Sequence, residues 1–372
     1  MSERHPIRSP SISWTLYIFG RILVPLVVLI AALGACEWLL GVGASGPLAH
    51  QPNYARLLTA HAPYAAKRPH PEYGFFLPDS AEIPDAGRDI VHVTGHGFRG
   101  PGPSRRGGRA LAFLVGNSVV FGFVPQDSLT IAGFLNRIQS DYFFVNAGVP
   151  SWVSSQVRRR IVHELLSHQP ALIVFWGGHN DASLAYSTAQ AGRPFDPEMI
   201  EHPSPRSPTD KGPLGRLVPN LTMRLNRLVS RIASPVHQPN PGVAFAAAEA
   251  FVENLEASFN ASMGAGTRFL AVYQPILHHH RNRAAQSCEI DQCVFFEFFR
   301  DHAATLAARF KLPYLDLGDV FDRHFASVPV FIAGSGPDLN DQVFVDEVHL
   351  YVSGNELVAR EIATRIAEPS SR

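Results

Sequence analysis

Four short blocks hold the side chains that could do chemistry: Gly116-Asn117-Ser118, Asn146-Ala147-Gly148, Gly177-Gly178-His179-Asn180-Asp181 and Asp346-Glu347-Val348-His349. A serine hydroxyl is a poor nucleophile until a base removes its proton, and that base needs a partner to fix its tautomer. Asp346 and His349 are three residues apart, so one turn can bring the carboxylate to the imidazole. The other ring nitrogen can then face Ser118. Acyl transfer also needs donors aimed at the developing oxyanion. The backbone N–H groups of Ser118 and Gly148 and the side-chain amide of Asn180 would supply three, and a glycine lets a substrate approach the backbone. The chemistry these types allow is attack on an ester carbonyl through an acyl-enzyme.

Such residues need a scaffold that gathers them. Short apolar runs occur at Ala110–Val115, Tyr142–Val145, Ala171–Trp176 and Phe269–Tyr273, with a weaker fifth at Leu312–Leu315. Helical patterns separate them at Leu129–Ile138, Ser154–Leu166, Ala244–Met263 and Phe295–Phe310. Continuous apolar strands alternating with amphipathic helices predict an α/β fold, a parallel sheet covered on both faces. In such sheets functional residues gather beyond the carboxyl ends of the strands, which is where the first three blocks fall. The fourth precedes a last helix whose Ser353-Gly-Asn-Glu356 reads as a capping box. Trp176 reads as core; Trp152 could line a pocket.

Together these blocks resemble the SGNH (GDSL-type) hydrolase superfamily, over about residues 90–367 and in the family's order. The lead-in His70-Pro-Glu-Tyr-Gly74 and Gly97-Phe-Arg-Gly100 is similar to a membrane-anchored bacterial branch of it. The resemblance implies a three-layer α/β/α, flavodoxin-like fold, with Ser118 as nucleophile, His349 as base, Asp346 as its orienting acid, and Gly148 and Asn180 completing the oxyanion hole. It implies no metal or organic cofactor. One position departs from the pattern: Asn117 stands where the family usually has Asp, nearly isosteric but uncharged. The ordinary α/β-hydrolase signature G-x-S-x-G is absent, since position 120 is Val.

The chain has 372 residues with 32 basic and 32 acidic side chains, and zero net charge removes the electrostatic case for a general nucleic-acid binder. Residues 22–43 form an almost continuous apolar run, long enough to cross a bilayer. Arg4, Arg8 and Arg21 precede it and no Lys or Arg follows until Arg56, which predicts a cytoplasmic N-terminus (1–21) and an exported remainder. The alternative is a lipoprotein anchored at Cys36, from Leu33-Gly34-Ala35-Cys36. Residues 44–108 read as a linker and lead-in, and 109–368 as the catalytic domain. An insertion at 187–242, rich in proline, carries a basic amphipathic stretch with Arg224, Arg227 and Arg231. Cys288 and Cys293 flank a polar stretch, and export would favour a disulfide between them. His278, His279 and His280 read as a loop rather than a metal site. The expected partner is an ester-bearing small molecule, lipid or glycan, with the membrane engaged through the N-terminal helix. Alternatives are an O-acyltransferase acting on an extracytoplasmic polysaccharide and a catalytically silent glycan-binding module.

Overall fold

The computed structural model describes residues 68–77, 82–84, 90–124, 126–191, 240–280, 290–324, 331–332, 342–344 and 347–368, together with Leu29 and Ala32. The chain divides into two compact units. One comprises Met1–Gly46 and Pro205–Val236, almost wholly outside the described residues. Everything below concerns the other.

Its centre is five parallel strands: β6 (Ala110–Gly116), β7 (Tyr142–Gly148), β8 (Leu172–Gly177), β9 (Arg268–Tyr273) and β10 (Tyr314–Asp316). They lie in the order β10-β9-β8-β6-β7. Successive side chains of a strand point to opposite faces, and both faces are buried here. Leu111, Phe113 and Val115 enter one core, Ala112 and Leu114 the other. On the first face lie α3 (Ser154–His163), α4 (His179–Thr188), α5 (Pro241–Gly264) and α6 (Ile290–Arg309); α5 packs on the other three. The second face is covered by α2 (Ile131–Ile138) against α8 (Val352–Ala367). Among the described residues there are also two short helices, α1 (Ser118–Phe121) and α7 (Val320–His324). A small parallel pair, β11 (Phe331–Ile332) and β12 (Gln342–Phe344), stands apart from the main sheet.

The lead-in is more than a linker. It contributes the hairpin β1 (Arg68–His70) and β2 (Gly74–Phe76), and three strands that extend the main sheet beyond β7. These are β5 (Phe98–Arg99), β4 (Ile90–Thr94) and β3 (Glu82–Pro84), each antiparallel to its neighbour. Among the described residues the sheet therefore has eight strands, parallel in the middle and antiparallel at one edge. The extra strands are two to five residues long, too short to show a period in sequence.

The start of α8 also differs from the reading of the sequence. The helix begins at Val352 with Tyr351 as its N-cap and no side-chain cap, so Ser353 lies inside the first turn. Tertiary packing sets that start. Tyr351 N–H donates to Val343 O at 2.9 Å, and a side chain at Gly354 would meet the same oxygen at 2.4 Å. Among the described residues no helix is long and apolar enough to cross a membrane. Apart from Leu29 and Ala32 the apolar run at 22–43 lies outside the described residues, as do residues 192–239 of the insertion.

Candidate active site

Strand register brings the first three blocks together. Gly116 at the end of β6 is paired with Gly148 at the end of β7, and Val115 with Phe175 near the end of β8. Ser118, Gly148 and Asn180 thus all leave the same edge of the sheet. Ser118 opens α1 and is 5% exposed. Asn117 caps that helix: its Oδ1 accepts from Val119 N–H at 3.0 Å, and its Nδ2 donates to Gln274 Oε1 at 2.6 Å. An uncharged residue therefore does the capping work at this position.

His349 arrives from the other side of the molecule, on the segment before α8. Its Nε2 lies 2.8 Å from Ser118 Oγ, across 231 residues of sequence. That is the separation a general base needs to take the hydroxyl proton. The ring packs edge-to-face on Phe123, with centroids 4.2 Å apart. Leu277 N–H donates to Glu347 O at 2.9 Å, tying the histidine segment to the loop after β9. Asp346, expected to orient the imidazole, lies outside the described residues.

The two remaining oxyanion candidates have different fates. Gly148 N–H donates to Asn146 Oδ1 at 3.1 Å. A Cβ at Gly148 would sit 2.3 Å from Phe121 N, so the glycine is required by the close approach of α1 to β7. Asn146 reinforces this contact by donating to Val120 O at 2.8 Å. Asn180 lies in the first turn of α4, and its Nδ2 donates to Trp152 O at 2.8 Å in the loop after β7. The tight entry into α4 depends on Gly178, whose φ is +108° and whose Cβ would fall 2.4 Å from the Tyr273 ring.

Behind Asn180, Asp181 joins three helices. It accepts from Ser154 N–H at 3.1 Å and Ser154 Oγ at 2.5 Å, and Asn254 Nδ2 on α5 donates to the same Oγ at 3.0 Å. Part of the residue reaches solvent, yet its carboxylate faces inward. Burial there pushes the carboxyl pKa up to about 6, against the lowering effect of the Ser154 hydrogen bonds.

Trp152 and Trp176 are both buried: Trp176 in the core, and Trp152 with its Nε1 donating to Phe75 O at 3.1 Å. The three consecutive histidines diverge. His279 Nε2 is 3.2 Å from Tyr273 Oη, His278 packs on Phe296, and His280 accepts from Phe321 N–H while its Nδ1 meets Ile276 O. Among the described residues no group of three His, Cys, Asp or Glu could hold a metal ion. Cys293 is disulfide-bonded; Cys288 lies outside the described residues.

Three residues that sequence reasoning does not single out touch the site residues or the turn after α1: Arg99, Phe123 and Gln274. Arg99 stands within the quoted lead-in motif, which is its one visible signal. Nothing local marks the other two, because each matters only through a contact with a distant block.

No protein-family model and no curated protein matches the chain. Solved structures do. One is an acetyl xylan esterase, with a TM-score of 0.42, 12% identity, and 69% of this chain and 99% of that chain covered. Another is a protein from Desulfitobacterium hafniense DCB-2 described as lipolytic and of the G-D-S-L family, at a TM-score of 0.39 and 11% identity, covering 69% and 99%. A third is a catalytic variant of an acetylxylan esterase from Geobacillus stearothermophilus, at 0.41 and 11%, covering 71% and 97%. At this level of similarity the chemistry has to be read from the side chains of the chain itself.

Proposed function

We propose that the chain is a serine esterase of the SGNH type, with Ser118 as nucleophile and His349 as general base. The observation that carries this reading is the 2.8 Å contact between His349 Nε2 and Ser118 Oγ. Ser118 Oγ attacks the ester carbonyl while its proton passes to His349 Nε2. The tetrahedral oxyanion is held by Ser118 N–H and by an N–H of the Asn180 amide, whose place is fixed by Trp152 O. His349 then protonates the leaving alcohol, and the resulting acyl-enzyme is opened by water that His349 deprotonates. Asp346 is assigned the orienting role on sequence alone. Gly148 is assigned to packing beneath α1.

The substrate is an ester carried by a small molecule, lipid or glycan. We further propose export, with residues 22–43 as the anchor. The apolar run and its flanking arginines support this, and a disulfide at Cys293 suits an oxidising compartment.

Turnover of p-nitrophenyl acetate by the portion from about Ser45 onward tests the reading. Ser118→Ala and His349→Ala should each lower kcat by at least about 1,000-fold, because the two residues act as one unit. A wild type that turns over ester no faster than either variant would refute it.

A further inference from the structure

We propose that Arg99 is a positioning residue for the catalytic base, acting through the turn after α1 and through Phe123; this rests on the esterase reading above. Arg99 belongs to the lead-in motif Gly97-Phe-Arg-Gly100, outside the four blocks. Its side chain is 2% exposed on β5, beside Asn146 of β7. Nη1 donates to Phe121 O at 2.9 Å and Gly122 O at 2.5 Å, and Nη2 donates to Val124 O at 2.5 Å. Nε donates to Asp127 Oδ1 at 2.9 Å, which balances the charge.

The three carbonyls bracket a single residue, Phe123. Carbonyls at the end of a helix have no partner within it, and here the guanidinium supplies donors to all three, with Asn146 Nδ2 adding a second to Phe121 O at 3.3 Å. A planar fork can hold several acceptors in one geometry; an ammonium on a flexible stem cannot reproduce it. The turn it fixes is tight, with Gly122 at φ +85°. Phe123, only half-buried, meets the His349 ring at 4.2 Å between centroids and 70° between planes. The imidazole thus lies between Ser118 and Phe123, and both are carried by the short segment that Arg99 clamps from below. If that turn relaxes, the ring loses one of its walls and the nitrogen–oxygen separation drifts. Proton transfer is sensitive to such small displacements.

The test uses full-length protein with p-nitrophenyl acetate and the variants Arg99→Lys, Phe123→Leu and Phe123→Tyr, plus the Arg99→Lys/Phe123→Leu pair. Arg99→Lys and Phe123→Leu should each lower kcat about tenfold or more with KM changed less than twofold. Phe123→Tyr should restore most of the rate. The pair should be no slower than its slower member, since both act through one ring. NMR of the His349 ring gives a readout independent of turnover: its resonances should shift in Arg99→Lys, which leaves the Phe123 ring in place. If the wild type fails to turn over ester, the esterase reading falls, and the NMR arm still decides the positioning claim. Unshifted His349 resonances, unchanged kcat in folded Phe123→Leu, or losses that multiply in the pair would overturn it.

Discussion

Ser118 and His349 show how far residue types alone reach. A serine after one strand and a histidine before the last helix pair by chemistry across most of the domain, and the fold puts them 2.8 Å apart. What spacing does not show is what each neighbour does. Gly148 is legible as a glycine at a strand end, but its N–H is taken by Asn146 and its missing side chain makes room for Phe121 N. Asn117 caps α1 and holds Gln274. Asn117→Asp should therefore remain folded and active, since the carboxylate can still cap and the Gln274 amide can turn to donate. Asn117→Ala should lose about 2 kcal/mol, roughly one for the cap and one for the orphaned Gln274 oxygen, measured by urea unfolding. Equal stability of wild type and Asn117→Ala would show that the capping contact is idle.

At the scale of elements, the central strands are legible because both their faces are buried, leaving continuous apolar runs such as Ala171–Trp176. Two of the lead-in strands are not, because β5 has two residues and β3 three, which leaves no alternation to read. The Ser353 capping pattern misleads for another reason: packing of Gly354 against Val343 O, not the local motif, decides where α8 starts. Helix positions near the site depend on a knot of polar contacts, Asp181 with Ser154 and Asn254. Its pH dependence has a definite sign. The Asp181 pKa is raised from 3.8 to about 6 in the folded chain, so the folded state binds more protons than the unfolded one between those values. Stability from this group is then greatest below pH 3.8 and is lost as pH rises through about 6. The loss amounts to about 3 kcal/mol at most, since each tenfold change in proton affinity is worth about 1.4 kcal/mol. Asp181→Asn should gain stability relative to wild type by roughly that amount between pH 4 and pH 7.5, followed by chemical unfolding. A difference that stays constant with pH would place the carboxylate in water.

For the whole molecule, the lead-in is joined to the central sheet and its helices rather than tethered to them. Trp152 Nε1 donates to Phe75 O, Gln156 Nε2 to Tyr73 O, and the buried Arg160 guanidinium lies over the Phe76 and Phe98 rings. A chain beginning at Gly102 would lose these contacts and expose the edge of β7, a template for intermolecular pairing. It should aggregate during size-exclusion chromatography, while a chain beginning near Ser45 stays monodisperse; equal behaviour would make the lead-in dispensable. The central claim is that Ser118, activated by His349, forms the covalent intermediate. Its most direct test is to treat the wild type with a fluorophosphonate and locate the adduct by peptide mass spectrometry. The account predicts one adduct on the peptide containing Ser118, absent in Ser118→Ala and strongly reduced in His349→Ala. An adduct on another serine, or none on folded wild type, would contradict it.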